Sequence, residues 1–310
     1  MSGANPDPQG GLINVYHCGG KVIILGEYSV LVGGQAVVGA LKPEFELRVR
    51  RTDSYGIVHS FAPESAVGRL ITRAQVQHSD ALGGVHFQWT YPYRTPIGVG
   101  SSSAQFILAY RAIHDLLSMK APDSAVLLED YWETVGNSQG MRPSGADVVA
   151  QNEGGVIVFR NHPFHLRKLD EEPFAGQGMS FWLAYTGSKI RTHEHLKQLS
   201  ERGFPVAFAG MLQGMEELVV AGLTAWRAGD ATRLGDAMNR YQDIMNKAAL
   251  SNEAVVNEIT RAREWPGVLG CKGSGAQGGD SALFLIEDAS KPQLEQHCHA
   301  LGWELYPVKF

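Results

Sequence analysis

PIGVGSSSAQ, residues 96–105, sets two glycines and three serines directly ahead of a helical pattern. Phe106, Ala109, Tyr110, Ile113 and Leu117 follow at three- and four-residue steps, the period of an amphipathic helix, and serine is a residue that caps one. Gly98 and Gly100 let backbone N–H groups approach an anion. Ser101, Ser102 and Ser103 add hydroxyls at a helix N-terminus, where orphan amides and the helix dipole favour negative charge. The string is not a Walker loop, because the lysine and the four-residue gap are missing. Alone, it fits a phosphate cradle and an ordinary turn with a cap equally well.

Outward from this loop, strands and helices alternate. LINVYHCGGKVIILGEYSVLV (12–32) alternates β-rich runs with glycine turns, and KPEFELRVRR (42–51) and VHFQWTY (85–91) place apolar residues at period two, as half-buried strands do. Residues 124–136 read as a helix, 140–147 as a loop and 154–160 as a strand. The second half predicts a strand at 179–187, helices at 192–203, 208–229 and 231–250, and a closing strand, helix and strand over 281–287, 291–302 and 303–310. Strands and helices in both halves predict an α+β, two-lobed protein, residues 1–170 and 171–310, with the boundary near 160–178.

Composition narrows the function. With 44% hydrophobic residues the 310-residue chain can fill a core, and a formal net charge of −5 gives no basic excess for nucleic acid or an anionic membrane. Cys18, Cys271 and Cys298 lack the spacing of a disulfide framework or a zinc site, which fits a reducing compartment. Residues 1–11 read as a polar, flexible tail rather than a signal peptide, and no run is expected to approach the roughly 18 apolar residues of a membrane span. A cytoplasmic location is the expectation.

Three further segments carry chemistry. CKGSGAQGGDSALFL (271–285) packs Gly273, Gly275, Gly278 and Gly279 before an apolar strand, as either a close approach to a ligand or a flexible hairpin. GGKVIILGEYSVLVGGQAVVGAL (19–41) opens a strand with Lys21 and places Glu27 and Tyr28 in the turn after it; Lys21 alone fits solvated surface as well as function. RPSGADVVAQNEGG (142–155) puts Asp147 where a carboxylate accepts a hydroxyl proton or caps a helix. His193 and His195, two apart, do not face one way on a helix and predict no metal site.

In this order the four segments resemble the GHMP kinase family, whose phosphate loop follows P-x-G-x-G-S-S-A. The resemblance implies an N-terminal lobe like ribosomal protein S5 and a ferredoxin-like C-terminal lobe. It implies transfer of the ATP γ-phosphate, with Mg²⁺, to the 5-hydroxyl of mevalonate. Phosphomevalonate kinase or another family kinase is the alternative, and a non-catalytic metabolite sensor ranks behind both. By resemblance, Asp147 orients or deprotonates the acceptor hydroxyl and Lys21 lies beside it. Pro96, Gly98, Gly100, Ser101, Ser102 and Ser103 hold the phosphates, and Gly275, Gly278 and Gly279 shape the floor. Ser102 faces the metal, with Glu133 one helical turn before Gly136 in place of the family's usual glutamate. Glu27, Tyr28, Lys189, Arg191 and Thr192 face the substrate, although the last three also fit exposed residues before a helix. Tyr28 departs from the Gly-Glu-His of mevalonate kinases towards the phosphomevalonate kinase pattern, and Arg142 and Arg191 are the basic residues a phosphate acceptor would need. Neither nucleic acid nor a membrane is implied as a partner, and a homodimer is left open.

Overall fold

The computed structural model describes residues 11–95, 97–136, 142–169, 173–174, 176–187, 192–251, 253–275 and 281–310. Its first sheet grows from one long hairpin, β1 (Leu12–Leu25) against β2 (Ala36–Arg51). Phe45, Leu47 and Val49, the period-two residues, are fully buried. The far edge of β2 is shared: Glu46–Arg51 pairs with β4 (Val85–Thr90), and Ala36–Gly39 pairs with β5 (Val156–Arg160). Short β3 (Ile57–Val58) extends the sheet beyond β4, and β6 (His165–Leu169) extends it beyond β5.

Among the described residues four helices accompany this sheet: α1 (Ala66–Gln77), α2 (Ser101–Leu116), α3 (Ser124–Val135) and α4 (Ala146–Glu153). α3 meets α2 through Tyr110 against Asp130 and Phe106 against Tyr131. α4 is seated in a small core of its own, where Val149 and Ala150 join Leu128, Trp132, Val38 and Ile157.

Residues 179–307 form a second sheet of four antiparallel strands. The strands are β7 (Met179–Tyr185), β8 (Val268–Ser274), β9 (Ser281–Glu287) and β10 (Glu304–Pro307), in the spatial order β10-β7-β9-β8. That order, with helices after β7 and β9, is the ferredoxin-like arrangement. Between β7 and β8 lie α5 (Thr192–Glu201), α6 (Ala209–Ala228), α7 (Ala231–Lys247) and α8 (Glu253–Ala262), and α9 (Lys291–Ala300) precedes β10. The segment Val206–Ala228 is long and apolar enough to cross a membrane, which the sequence reading did not expect of any run. Met215, Leu218, Val219, Leu223 and Trp226 are buried in the protein's own core, which accounts for the composition.

The lobes share one buried cluster, running from Val22, Leu25 and Val37 through Met215, Trp226 and Tyr241 to Leu283 and Leu285. Hydrogen bonds cross the same seam. Tyr28 Oη donates to Leu250 O at 2.7 Å, Gln35 N to Glu216 Oε2 at 2.9 Å and Lys42 N to Lys309 O at 3.0 Å.

Candidate active site

The loop ahead of α2 is fixed from three sides. Lys21 N donates to Val99 O at 2.8 Å, Ile97 N to Tyr91 Oη at 3.1 Å, and Ser281 Oγ, from the second sheet, to Ile97 O at 2.8 Å. Gly98 and Gly100 take φ of 70° and 78°, the left-handed region that L side chains avoid. Gly100 occupies the N-cap of α2, and no side chain caps that helix. By contrast α1, α3 and α7 are capped by Ser65, Asp123 and Asp230. The first-turn amides of α2 are therefore left for an anion. Ser102 is exposed there, whereas Ser103 is buried and turns its hydroxyl inward.

A Cβ on Gly100 would lie 2.9 Å from Lys21 Cγ, 3.1 Å from Ser103 Oγ and 3.2 Å from Gln151 Oε1. The substitution combines left-handed strain with displacement of Lys21 and Gln151. Gly100→Ala is expected to raise the ATP KM about tenfold or more, a loss of about 1.4 kcal/mol or more, read from initial rates at saturating acceptor. An ATP KM within twofold of the parent would show that the cradle does not hold the phosphates.

Asp147 stands in the first turn of α4, whose N-cap is again a left-handed glycine, Gly145, without a side-chain cap. Leu128 enforces that choice, because a Cβ on Gly145 would fall 2.0 Å from Leu128 Cδ1. The approach to α4 is held by Trp132, whose Nε1 donates to Pro143 O at 2.8 Å and whose ring lies under the Arg142 guanidinium at 4.8 Å. Burial raises the Tyr131 phenol far above its ordinary pKa and the Asp147 charge raises it further, placing a neutral hydroxyl in the field of the carboxylate. Four residues after Asp147, on the same helix face, Gln151 reaches the loop ahead of α2, its Nε2 donating to Gly100 O at 3.1 Å. Lys21 of β1 and Gln151 of α4 thus meet at the loop, and no ion pair within 4.0 Å joins Lys21 to Asp147 among the described residues.

Glu133 is 70% exposed and ion-paired with Arg73 of α1 at 3.7 Å. Among the described residues no group of three or more His, Cys, Asp or Glu side chains is arranged to hold a metal.

The second lobe supplies a wall. Lys272 of β8, fully buried, donates to the Glu27 carboxylate across 245 residues of sequence, and also to Gly273 O at 2.7 Å and Ile23 O at 3.4 Å. Glu27 is 7% exposed and Tyr28 gives its hydroxyl to Leu250 O, so both sequence candidates for substrate contact are engaged in the seam between lobes. Gln242 Oε1 accepts from Gly273 N at 2.7 Å, and Gly275 turns the chain with φ of 94°. Pro96, Lys189, Arg191, Gly278 and Gly279 lie outside the described residues, and Thr192 opens α5. Gln151, Tyr131 and Lys272 are not among the candidates that the sequence motifs single out. Only Lys272 left a signal, as a lysine inside an otherwise small and apolar strand.

Residues 217–300 match the family model described as GHMP kinases C terminal. The two-lobed fold is likewise similar to that of solved GHMP-type kinases. The mevalonate kinase of Aeropyrum pernix is 28% identical over 300 residues, covering 87% of each chain. The crystal structure of Methanococcus jannaschii mevalonate kinase superposes with a TM-score of 0.78 at 15% identity, over 98% of this chain and 99% of that one. That of L. major mevalonate kinase in complex with R-mevalonate gives 0.77 at 19% identity, over 98% of both.

Proposed function

We propose that the protein is an ATP-dependent kinase that transfers the γ-phosphate to the 5-hydroxyl of mevalonate. The observation that carries this reading is the convergence on Gly100 of an uncapped helix N-terminus, the Lys21 side chain and the helix bearing Asp147. The named relatives, which match along nearly the whole chain, support mevalonate as the acceptor. In this reading residues 1–170 supply the nucleotide cradle and the base, and residues 171–310 supply the glycine wall and the substrate loop.

Phosphoryl transfer asks mainly for positioning and for neutralisation of the moving charge. The amides of Ser101–Ser103 bind phosphate oxygens, and Lys21 offsets charge on the group in flight. Asp147 accepts the proton as the acceptor oxygen bonds to the γ-phosphorus, and the bond to the β-phosphate oxygen breaks to release ADP. Mg²⁺, when bound with ATP, neutralises phosphate charge. The exposed Ser102 hydroxyl in the first turn of α2 fits it as a hard oxygen donor. Glu133 joins only by leaving Arg73, and is the weaker of the two metal candidates. A homodimeric state and a cytoplasmic location extend the proposal on the family resemblance alone.

An ADP-release assay over mevalonate, phosphomevalonate, homoserine and galactose tests the reading. Mevalonate is expected to give the highest kcat/KM. Preference for phosphomevalonate would make the protein the other kinase weighed from the sequence, while absence of turnover with intact nucleotide binding would point to a sensor.

A further inference from the structure

Gln151 is 2% exposed, and its side-chain amide meets three partners. Nε2 donates to Gly19 O at 2.7 Å and to Gly100 O at 3.1 Å, and Oε1 accepts from Ser103 Oγ at 2.6 Å. The orientation of the amide is forced, because two carbonyls that only accept face one end and a hydroxyl that can donate faces the other. The proton count closes as well. Ser103 has a single hydroxyl proton, which goes to Gln151 as the nearer of its acceptors, Gly100 O lying at 2.9 Å. Gly100 O then accepts from Ala104 N, at 3.0 Å, and from Gln151, one donor for each lone pair.

The two carbonyls lie where the backbone is irregular. Gly19 lies at the irregularity between Cys18 and Gly20, where the β1–β2 register shifts, two residues before Lys21. Gly100 is the left-handed N-cap of α2. In a trans peptide the C=O and the following N–H point in opposite directions. A Gly100 carbonyl held towards Gln151 therefore aims the Ser101 N–H away from the core, into the mouth where Ser102 is exposed. A glycine in the left-handed region turns its peptide at little cost, so without Gln151 the carbonyl keeps only the bond from Ala104 N, and the 100–101 peptide is held less firmly with its N–H outward. Ser103 stands where the P-x-G-x-G-S-S-A pattern has alanine, so this chain supplies both ends of the Ser103–Gln151 bond.

We infer that Gln151 is the positioning residue of the nucleotide site, locking the 100–101 peptide with its N–H outward and holding the bulge that places Lys21. The inference rests on the kinase reading above. It is tested with Gln151→Met, which keeps the volume and removes both donor and acceptor, and with Gln151→Glu. Nucleotide affinity, measured by calorimetry with a non-hydrolysable ATP analogue, is expected to fall about tenfold in Gln151→Met. The ATP KM is expected to rise in proportion, and the acceptor KM to stay within twofold. A parent protein that does not bind the analogue defeats the kinase reading itself. A parent that binds and a folded Gln151→Met that binds equally well overturn only the role of Gln151. Gln151→Glu decides the matter if the methionine variant fails to fold. A protonated carboxyl can donate to one of the two carbonyls and a carboxylate to neither, so the variant-to-parent ratio of kcat/KM for ATP is expected to rise as pH falls. A flat ratio overturns the inference.

Discussion

Asp147→Asn is expected to lower kcat by about 10²–10⁴-fold, the usual contribution of a positioned base, with the ATP KM little changed. Asparagine keeps the shape of the side chain in the first turn of α4, so Gly145, the Trp132–Pro143 bond and the Gln151 contacts persist. What it loses is the negative charge and the capacity to take a proton from the acceptor. Steady-state kinetics with both substrates varied checks this. Equal turnover in the variant would remove Asp147 from the mechanism and leave Lys21 and the loop to act by electrostatics alone.

Breaking the seam pair is expected to give the largest loss of stability. Lys272→Met leaves the Glu27 carboxylate buried without its counter-charge, and Glu27 Oε2 already has no hydrogen-bond partner. Removing one member of a buried ion pair costs about 3–5 kcal/mol, because the remaining charge is stranded, whereas removing both is often nearly neutral. Lys272→Met is thus expected to lose about that much in urea unfolding, and Glu27→Gln with Lys272→Met to recover most of it. A single variant as stable as the parent would mean that water reaches Glu27 and that the seam is not dry.

The parts of the fold that were legible in the sequence are those set by local pattern. The period-two residues of β2 and β4 and the helical spacing of α2, α6 and α7 carry their burial in their own neighbourhood. α1, α8 and β6 were not legible. β6, HLRKL, is mostly polar and exposed, and is a strand because β5 offers it an edge. α1 alternates arginine and glutamine with its apolar residues, so its buried face of Val67, Leu70, Ile71 and Ala74 is obscured. For the site, the glycine loops announced themselves because unusual backbone needs a particular residue. Gln151 did not, since an amide four residues past Asp147 looks like any polar helix position until the bulge at Gly19 is folded against it. The surroundings of Glu27 and Tyr28 were hidden for the same reason. Their partners, Lys272 and Leu250, lie more than two hundred residues away, and no local pattern reveals where such a side chain points.

Those long separations also set an order of events. The hairpin, α2 and α4 belong to the first half of the chain. The bonds that close the site over them span 245 residues for Lys272–Glu27, 184 for Ser281–Ile97 and 209 for Thr95–Glu304. Contacts of such range repay their loop-closure entropy only when both ends are present. The site is thus complete only when the last quarter of the chain is in place.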